Sequence, residues 1–215
     1  MTFVARGYRL TQMADVAEAL GVAKGTVYGY VESKEALFDA AVRFADTPPA
    51  DPIQLPWPTP AMGATVQFIQ TRLLEEARRL ALVVALSRPK RSRPRPGELE
   101  DILRDLYRRM SKNRRALKLV DRCAIDHPEL ASVWFEQGRY GQVALLASYL
   151  ERRVSEGTVR SIPNVQLAAR MVLETVALWA IHMPWDAAPR SFAEDEVETA
   201  VVDMLTHAYA KERIR

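Results

Sequence analysis

The sequence predicts an all-α protein in two parts, a small N-terminal helical unit and a larger C-terminal helical bundle, and three observations carry that expectation. Apolar residues recur at the 3.6-residue period through most of the 215 residues, with almost no alternating run of the strand type. The segment PPADPIQLPWPTP, residues 48 to 60, holds six of the 13 prolines. Proline lacks the amide a regular hydrogen-bond ladder needs, so this stretch should be extended or turn-rich. It should separate a domain at 1–46 from one at 61–215, with 47–60 as the linker. Hydrophobic residues make up 48% of the chain, enough for a real core and too many for a disordered polymer.

In the first region Thr11 stands as an N-cap, and Met13, Val16, Ala17 and Leu20 fall at i, i+3, i+4 and i+7 on one face of a two-turn helix. Gly21 ends it by accepting the left-handed conformation of a tight reversal, with Val22 turned inward as the anchor. The next eight residues, AKGTVYGY, contain two Gly, two Tyr, a Thr and a Lys, poor ingredients for a free-standing helix. A short helix from about Lys24 to Tyr30 would bury Val27 and turn Lys24, Thr26 and Tyr28 outward, which makes helix, glycine turn, short helix. The same residue types suit a DNA major groove. Gly25 permits close backbone approach, Thr and Tyr hydroxyls bond phosphate oxygens, the Thr methyl or Tyr ring meets a thymine methyl, and Lys adds charge. Ser33 should cap a third helix that packs Leu37, Phe38, Ala41 and Val42 inward and carries Lys34 in its first turn, where backbone amides already favour a phosphate.

Beyond the linker, Thr59 and Pro60 should open a helix striped by Met62, Val66, Ile69, Leu73, Leu80 and Val84 that stops before Pro89. Leu99, Ile102, Leu103, Leu106 and Met110 mark a second, and Leu117, Val120 and Ala124 a shorter third. Pro128 starts a long helix, bent near Gly138 or Gly141 and closed by Gly157. Asn164 caps a helix carrying Leu167, Ala168, Met171, Val172, Leu178 and Trp179 and ending near Pro184. Its apolar stretch includes Glu174 and His182 and is too short and too polar to span a bilayer. Ser191 and Glu194 form a capping box for the last helix, whose face is Val197, Ala200, Val201, Met204, Leu205 and Ala208.

The stretch LTQMADVAEALGVAKGTVYGYVESKEALFDAAV resembles the DNA-binding segment of the tetracycline-repressor (TetR) family of bacterial transcriptional regulators, over about residues 7 to 45. The remainder resembles the family in architecture only. The resemblance implies DNA contacts at Thr11, which matches the backbone-contacting cap of the first motif helix, and at Lys24, Gly25, Thr26 and Tyr28 of the recognition helix. Tyr30 and Lys34 match the phosphate clamp. Two positions depart from the family: Gly29 stands where many members carry a larger ring, and Ala23 replaces the frequent Ser cap. Members also have a complete helix before the motif, whereas MTFVARGY supplies its last turn alone. Met13, Val16 and Val27 should therefore be partly exposed and the unit labile. Residues 1 to 46 carry five basic against six acidic side chains, a weak footing for DNA.

The implied function is a ligand-responsive repressor acting as a homodimer on a palindromic double-stranded DNA operator. A small organic effector would bind the larger domain, and the resemblance places the dimer seam on helices at about 165–183 and 192–210. The rival is a helical ligand-binding or scaffolding protein that lost DNA binding with its first helix.

Other classes find little footing. The net charge of +3 neither demands nor excludes a nucleic acid, and the N-terminus has no apolar run of signal-peptide length, so the chain reads as cytoplasmic, with no membrane partner. The lone Cys123 forms no internal disulfide. Cys123, Asp126 and His127 stand at helical ligand spacing, but a closed site needs about four ligands, so neither metal nor other cofactor is expected. No nucleophile elbow, phosphate loop or zinc-binding His pair points to catalysis. The basic run RPKRSRPR, 88 to 95, reads as a solvated loop. Trp134, Phe135, Tyr140, Trp179, His182 and Trp185 have the aromatic bodies and polar tips that suit an effector cavity, although such residues more often build core.

Overall fold

A computed structural model describes residues 1–89, 94–187 and 192–211. Among them the regular structure is helical, with a long irregular stretch between residues 45 and 63, shorter connections elsewhere and two isolated bridges. It divides into two compact units, Met1–Leu73 with Asn113–Gly138, and Leu74–Lys112 with Arg139–Arg215.

The first unit opens with α1 (Thr2–Leu10), broken at Gly7, whose positive φ of 81° departs from helical geometry. A side chain there would sit 2.5 Å from Asp126 Oδ2 and 2.6 Å from Arg122 Nη1. Glycine therefore serves both the turn and the close approach. Phe3 is buried between Tyr8, stacked at 6.1 Å, and Phe38, edge-on at 5.5 Å. Then come α2 (Met13–Leu20), α3 (Lys24–Tyr28), α4 (Lys34–Phe44) and the start of α5 (Ala64–Arg78), followed after the second unit's first segment by α8 (Arg114–Ala124) and α9 (Pro128–Ala131).

Carboxylates tie these pieces together. Asp46 accepts the amides of Arg115 and Ala116 at 2.9 Å each, capping α8 where its dipole is positive. Asp126 accepts the amides of Tyr8 and Arg9 at 3.1 Å each, just past the break in α1. Asp39 of α4 is only 2% exposed and accepts from Arg43 Nε at 2.7 Å, Trp57 Nε1 at 3.0 Å and Thr65 Oγ1 at 2.8 Å. Burial alone would raise its pKa, but these three donors and the Arg43 charge outweigh that and hold the carboxyl below its ordinary value.

Several expectations are corrected here. Met13, Val16 and Val27 are 7%, 8% and 4% exposed, not partly open, because Val31, Ala36, Leu37 and Trp57 close over them. Thr11 is not the cap of α2. Gln12 stands at the N-cap, its amide donating to Asp15 Oδ2 at 2.8 Å, while Thr11 is buried and its hydroxyl donates to Gly7 O at 2.6 Å. Leu20 and Val22 are exposed. Thr59 caps no helix: α5 starts at Ala64 after Gly63, whose φ is 77°, and Met62 lies in solvent.

In the second unit, α6 (Ala81–Ser87) is separated from α5 by Leu80 in an extended conformation, and Asp105 caps it by accepting the Ala81 amide at 2.9 Å. One continuous helix to Pro89 was expected; this cap, supplied by a distant carboxylate, divides it. α7 (Glu98–Lys112) packs Ile102, Leu103, Leu106 and Tyr107 inward. From Pro128 the chain stays helical to Ser155, with π-helical hydrogen bonding over Ser132–Tyr140 leading into α10 (Gly141–Ser155), and Gly157 left-handed beyond it. α11 (Val165–Ala177) is capped as expected, Asn164 Oδ1 accepting the Leu167 amide at 2.9 Å, and ends through a π turn and a 3-10 turn at Met183–Trp185.

α12 (Glu194–Tyr209) begins at Ala193, whose amide donates to Glu196 Oε2 at 3.3 Å; the expected cap Ser191 lies outside the described residues. Its buried face is Glu198, Val201, Val202, Leu205 and Tyr209, whereas Ala200, Met204 and Ala208 face outward. Glu198 accepts from Arg104 at 2.8 Å and Arg108 at 3.0 Å, joining α12 to α7. The buried Glu98 takes the guanidinium groups of Arg153 and Arg88 and the Tyr149 hydroxyl.

Removing the Asp39 carboxylate strands three donors, the buried Thr65 hydroxyl and the half-buried Arg43 and Trp57 groups. Asp39→Ala should lower the unfolding free energy by about 3 kcal/mol in urea titration. Because its pKa is lowered in the folded state, its contribution is complete above the unfolded value near 4 and is lost as pH falls through the folded one. Wild type should therefore lose stability towards pH 3 more steeply than Asp39→Asn.

Candidate nucleic-acid interface

α2 ends at Gly21, with φ 67° and ψ 31°, and its amide and that of Val22 return to Glu18 and Ala17. This left-handed closure is the turn that glycine permits. Ala23 is extended and offers no side-chain cap, so α3 starts on the backbone alone, the Thr26 amide donating to Ala23 O at 2.9 Å. Five residues cannot sustain a helix in water. What holds α3 is Val27, buried in the small core with Met13, Val16 and Ala17.

The rest of α3 faces outward. Lys24, Gly25 and Thr26 are exposed, Tyr28 is 42% exposed and Tyr30, beyond the helix, 59%. A Cβ on Gly25 would meet nothing within 4 Å, so the fold itself places no demand for glycine there. Ser33 Oγ accepts the Ala36 amide at 3.0 Å and caps α4 as expected. Lys34 is half-buried: its Nζ donates to Tyr8 O at 3.3 Å and lies 4.7 Å from the Tyr8 ring centroid. Tyr8 in turn donates to Glu35 Oε1 at 3.2 Å, and burial with the Glu35 charge pushes the Tyr8 hydroxyl up to about 12. Thr11, buried and committed to Gly7, offers no side chain to this surface.

Two residues that shape the site escaped the sequence reading. Trp57 sits against α4, edge-on to Phe44 at 5.3 Å, and Asp39 holds its indole. A signal existed for Asp39: it stands three residues from both Ala36 and Val42, a charge on the apolar stripe.

The aromatic residues proposed for an effector divide between the units. Trp134 and Phe135 pack on the core of the first, the Trp134 indole donating to Asp121 Oδ1 at 2.8 Å. Tyr140, exposed beneath Arg170, and the half-buried Trp179 and His182 belong to the second. A cavity of about 190 Å³ in the first unit has none of these five in its wall; Tyr8, Glu35, Phe38, Val66, His127 and Glu129 are among its lining. Among the described residues no group of three or more His, Cys, Asp or Glu is placed to hold a metal ion, and Cys123 is buried, its thiol pushed up by burial to about 12. The basic run lies in part outside the described residues; within them Arg88 pairs with Glu98 and Arg95 with Asp101. No helix among them is long and apolar enough to cross a membrane.

A short helix presented polar face outward on a glycine turn, between two anchoring helices, defines a helix-turn-helix DNA reader. The sequence profile described as bacterial regulatory proteins, tetR family, matches residues 1–41, and that of the AefR-like transcriptional repressor C-terminal domain matches residues 98–211, more than half of the chain. The chain belongs to the TetR family of transcriptional regulators. None of the curated proteins matches it in sequence.

Solved structures share the fold at low identity. The ketosteroid transcriptional regulator KstR2 of Mycobacterium tuberculosis is 16% identical with a TM-score of 0.60, covering 98% of this chain and 90% of its own. SCO3833, a TetR-family member from Streptomyces coelicolor A3, is 22% identical with a TM-score of 0.56 over 97% and 87%. AibR, solved with isovaleryl coenzyme A and operator DNA, is 14% identical with a TM-score of 0.51 over 94% and 90%.

The outward face predicts a separation of stability from function. Val27→Ala should cost about 1 to 3 kcal/mol in thermal or urea unfolding, while Lys24→Ala and Tyr28→Ala should change it by no more than about 0.5 kcal/mol.

Proposed function

We propose that the chain is a ligand-responsive repressor that binds a palindromic double-stranded operator as a homodimer, placing Lys24, Gly25, Thr26 and Tyr28 in the major groove and Tyr30 and Lys34 on phosphates. The observation that carries this is α3 itself. Its one buried side chain is Val27, and every other residue of a helix too short to stand alone is turned to solvent. Thr11 contributes by bracing the turn before α2 and not by touching DNA.

One such motif reads only a few base pairs, so two copies about 34 to 36 Å apart are needed for useful specificity. A seam on helices 165–183 and 192–210 is supported by the outward apolar residues there. Leu167, Met171 and Leu178 fall on one stripe of the first, and Ala200, Met204 and Ala208 on one stripe of the second. Effector control is supported by AibR, whose structure holds both an acyl coenzyme A and operator DNA. A small organic effector in the larger domain, near Tyr140, Trp179 and His182, would act by binding the DNA-incompatible arrangement more tightly. About 1 to 3 kcal/mol of coupling suffices for a 5- to 150-fold response. A cytoplasmic, non-enzymatic role accords with this reading. The rival reading of a protein that lost DNA binding rested on an uncovered first core, and that core is closed.

Selection from a randomised duplex pool by the purified protein should enrich an inverted repeat, and Tyr28→Ala should weaken binding to it by about tenfold or more. Failure to enrich any sequence over non-specific DNA would refute the reading. With two lysines per subunit on the proposed face, log K against log salt should have a slope of about −3 to −4. Met171→Glu combined with Met204→Glu should convert dimer to monomer in light scattering; an unchanged mass would place the seam elsewhere.

A further inference from the structure

The proline-rich segment makes a set of bonds that a linker does not require. In PWPTP, residues 56 to 60, proline alternates with Trp57 and Thr59, so these two alone carry amide N–H groups. Both amides reach the connector between α3 and α4. The Trp57 N–H donates to Tyr30 O at 2.8 Å, and the Thr59 N–H donates to Glu32 Oε2 at 2.8 Å. Returning the contact, the Glu32 N–H donates to Trp57 O at 3.1 Å, and Thr59 Oγ1 bonds the capping Ser33 Oγ at 2.9 Å. Val31 and Trp57 thus form a parallel one-residue bridge. The ring is fixed as well, packed on the small core beside Val27 and Val31, edge-on to Phe44, and bonded to the buried Asp39.

We propose that residues 56 to 60 are a strap that aims Tyr30 at the DNA backbone, with Trp57 as its positioning residue. This rests on the assignment of α3 and Tyr30 to the DNA surface. Tyr30 lies past the last residue of α3, in a turn whose Tyr30 and Val31 amides return to Val27 O at 3.0 and 3.1 Å, and its ring is largely in solvent. Its direction is therefore set by its backbone, and the strap supplies the partners of that backbone on the side away from α3. The prolines restrict the strap before it docks, so little chain entropy is lost in forming the bridge. Tyr28, by contrast, is held by the helix that Val27 anchors and owes the strap nothing directly.

The test is a double-mutant cycle on a duplex that the wild-type protein selects from a randomised pool, joined to amide hydrogen exchange on the DNA-free protein. Tyr30→Phe should weaken binding about tenfold in the wild-type background and less than about twofold in Trp57→Ala, while Tyr28→Phe should cost the same in both. In the free protein, Trp57→Ala should speed exchange of the Glu32 amide at least about tenfold and that of Val27, which keeps the rest of its small core, by a smaller factor. Trp57→Phe keeps the ring and both bridge bonds and should restore most of the Tyr30 coupling. If Trp57→Ala fails to fold, Trp57→Leu, which keeps apolar cover but loses the ring and its bond to Asp39, carries the cycle, with coupling to Tyr30 at least about threefold larger than to Tyr28. Equal losses for Tyr30→Phe in every background, or an unchanged Glu32 exchange rate, would overturn the strap. Failure of the wild type to bind any duplex would instead refute the DNA assignment, and exchange at Glu32 would still decide whether the strap holds the connector.

Discussion

One buried carboxylate organises the DNA-reading unit. Asp39 is almost fully removed from water, where an unpaired charge would be prohibitively unfavourable, and it is tolerated because Arg43, Trp57 and Thr65 each donate to it. These donors come from α4, the proline-rich segment and the start of α5. Satisfying the charge thus requires three pieces of chain to converge. Their convergence puts the Trp57 ring over the small core that buries Val27, and Val27 is what keeps α3 folded. The outward display of Lys24, Thr26 and Tyr28 is consequently an effect of packing on the other side of the helix. Hydrophobic burial provides the driving force there, but the directional bonds to Asp39 fix which arrangement is adopted.

The same use of carboxylates resolves the charge balance of the first 46 residues. Counted as a sum, six acidic against five basic residues argue against a DNA surface. Counted by position, Asp15 caps α2 and pairs with Arg6, Glu32 binds Thr59, Glu35 takes the Tyr8 hydroxyl, Asp39 is buried, and Asp46 caps α8. Each is spent on neighbouring protein groups. Glu18 lies on α2 and Lys24 opens α3, so the reading face is better described by its own few residues than by the regional sum. Composition bounds what a chain can do, but the field a ligand meets depends on which charges already have partners.

What was legible in the sequence is what depends on local chemistry. The turn at Gly21, the caps at Ser33 and Asn164, the start at Pro128 and the stop near Pro184 all follow from preferences of single residues and their immediate neighbours. The outward set of α3 was legible too, because only Val27 interrupts its polar run. What escaped depends on partners far along the chain. The division of α5 from α6 needs Asp105 as a distant cap, and the role of Trp57 needs Asp39 and the α3–α4 connector. Leu20 and Val22 were misassigned because a stripe of apolar residues says which face turns inward and not how far along the helix the neighbour extends. The aromatic residues expected to line an effector cavity divide between two units, because an aromatic body with a polar tip says what a side chain can touch and not which tertiary neighbours it has.

The central claim is that packing behind α3 presents its polar face, with Tyr30 and Lys34, as the DNA surface. Amide chemical-shift mapping on titration with the selected duplex tests it most directly. The account predicts that the largest changes fall on Lys24, Gly25, Thr26, Tyr28, Gly29, Tyr30 and Lys34. Unmoved resonances at these positions, with the largest changes on α7 or α12 instead, would contradict it.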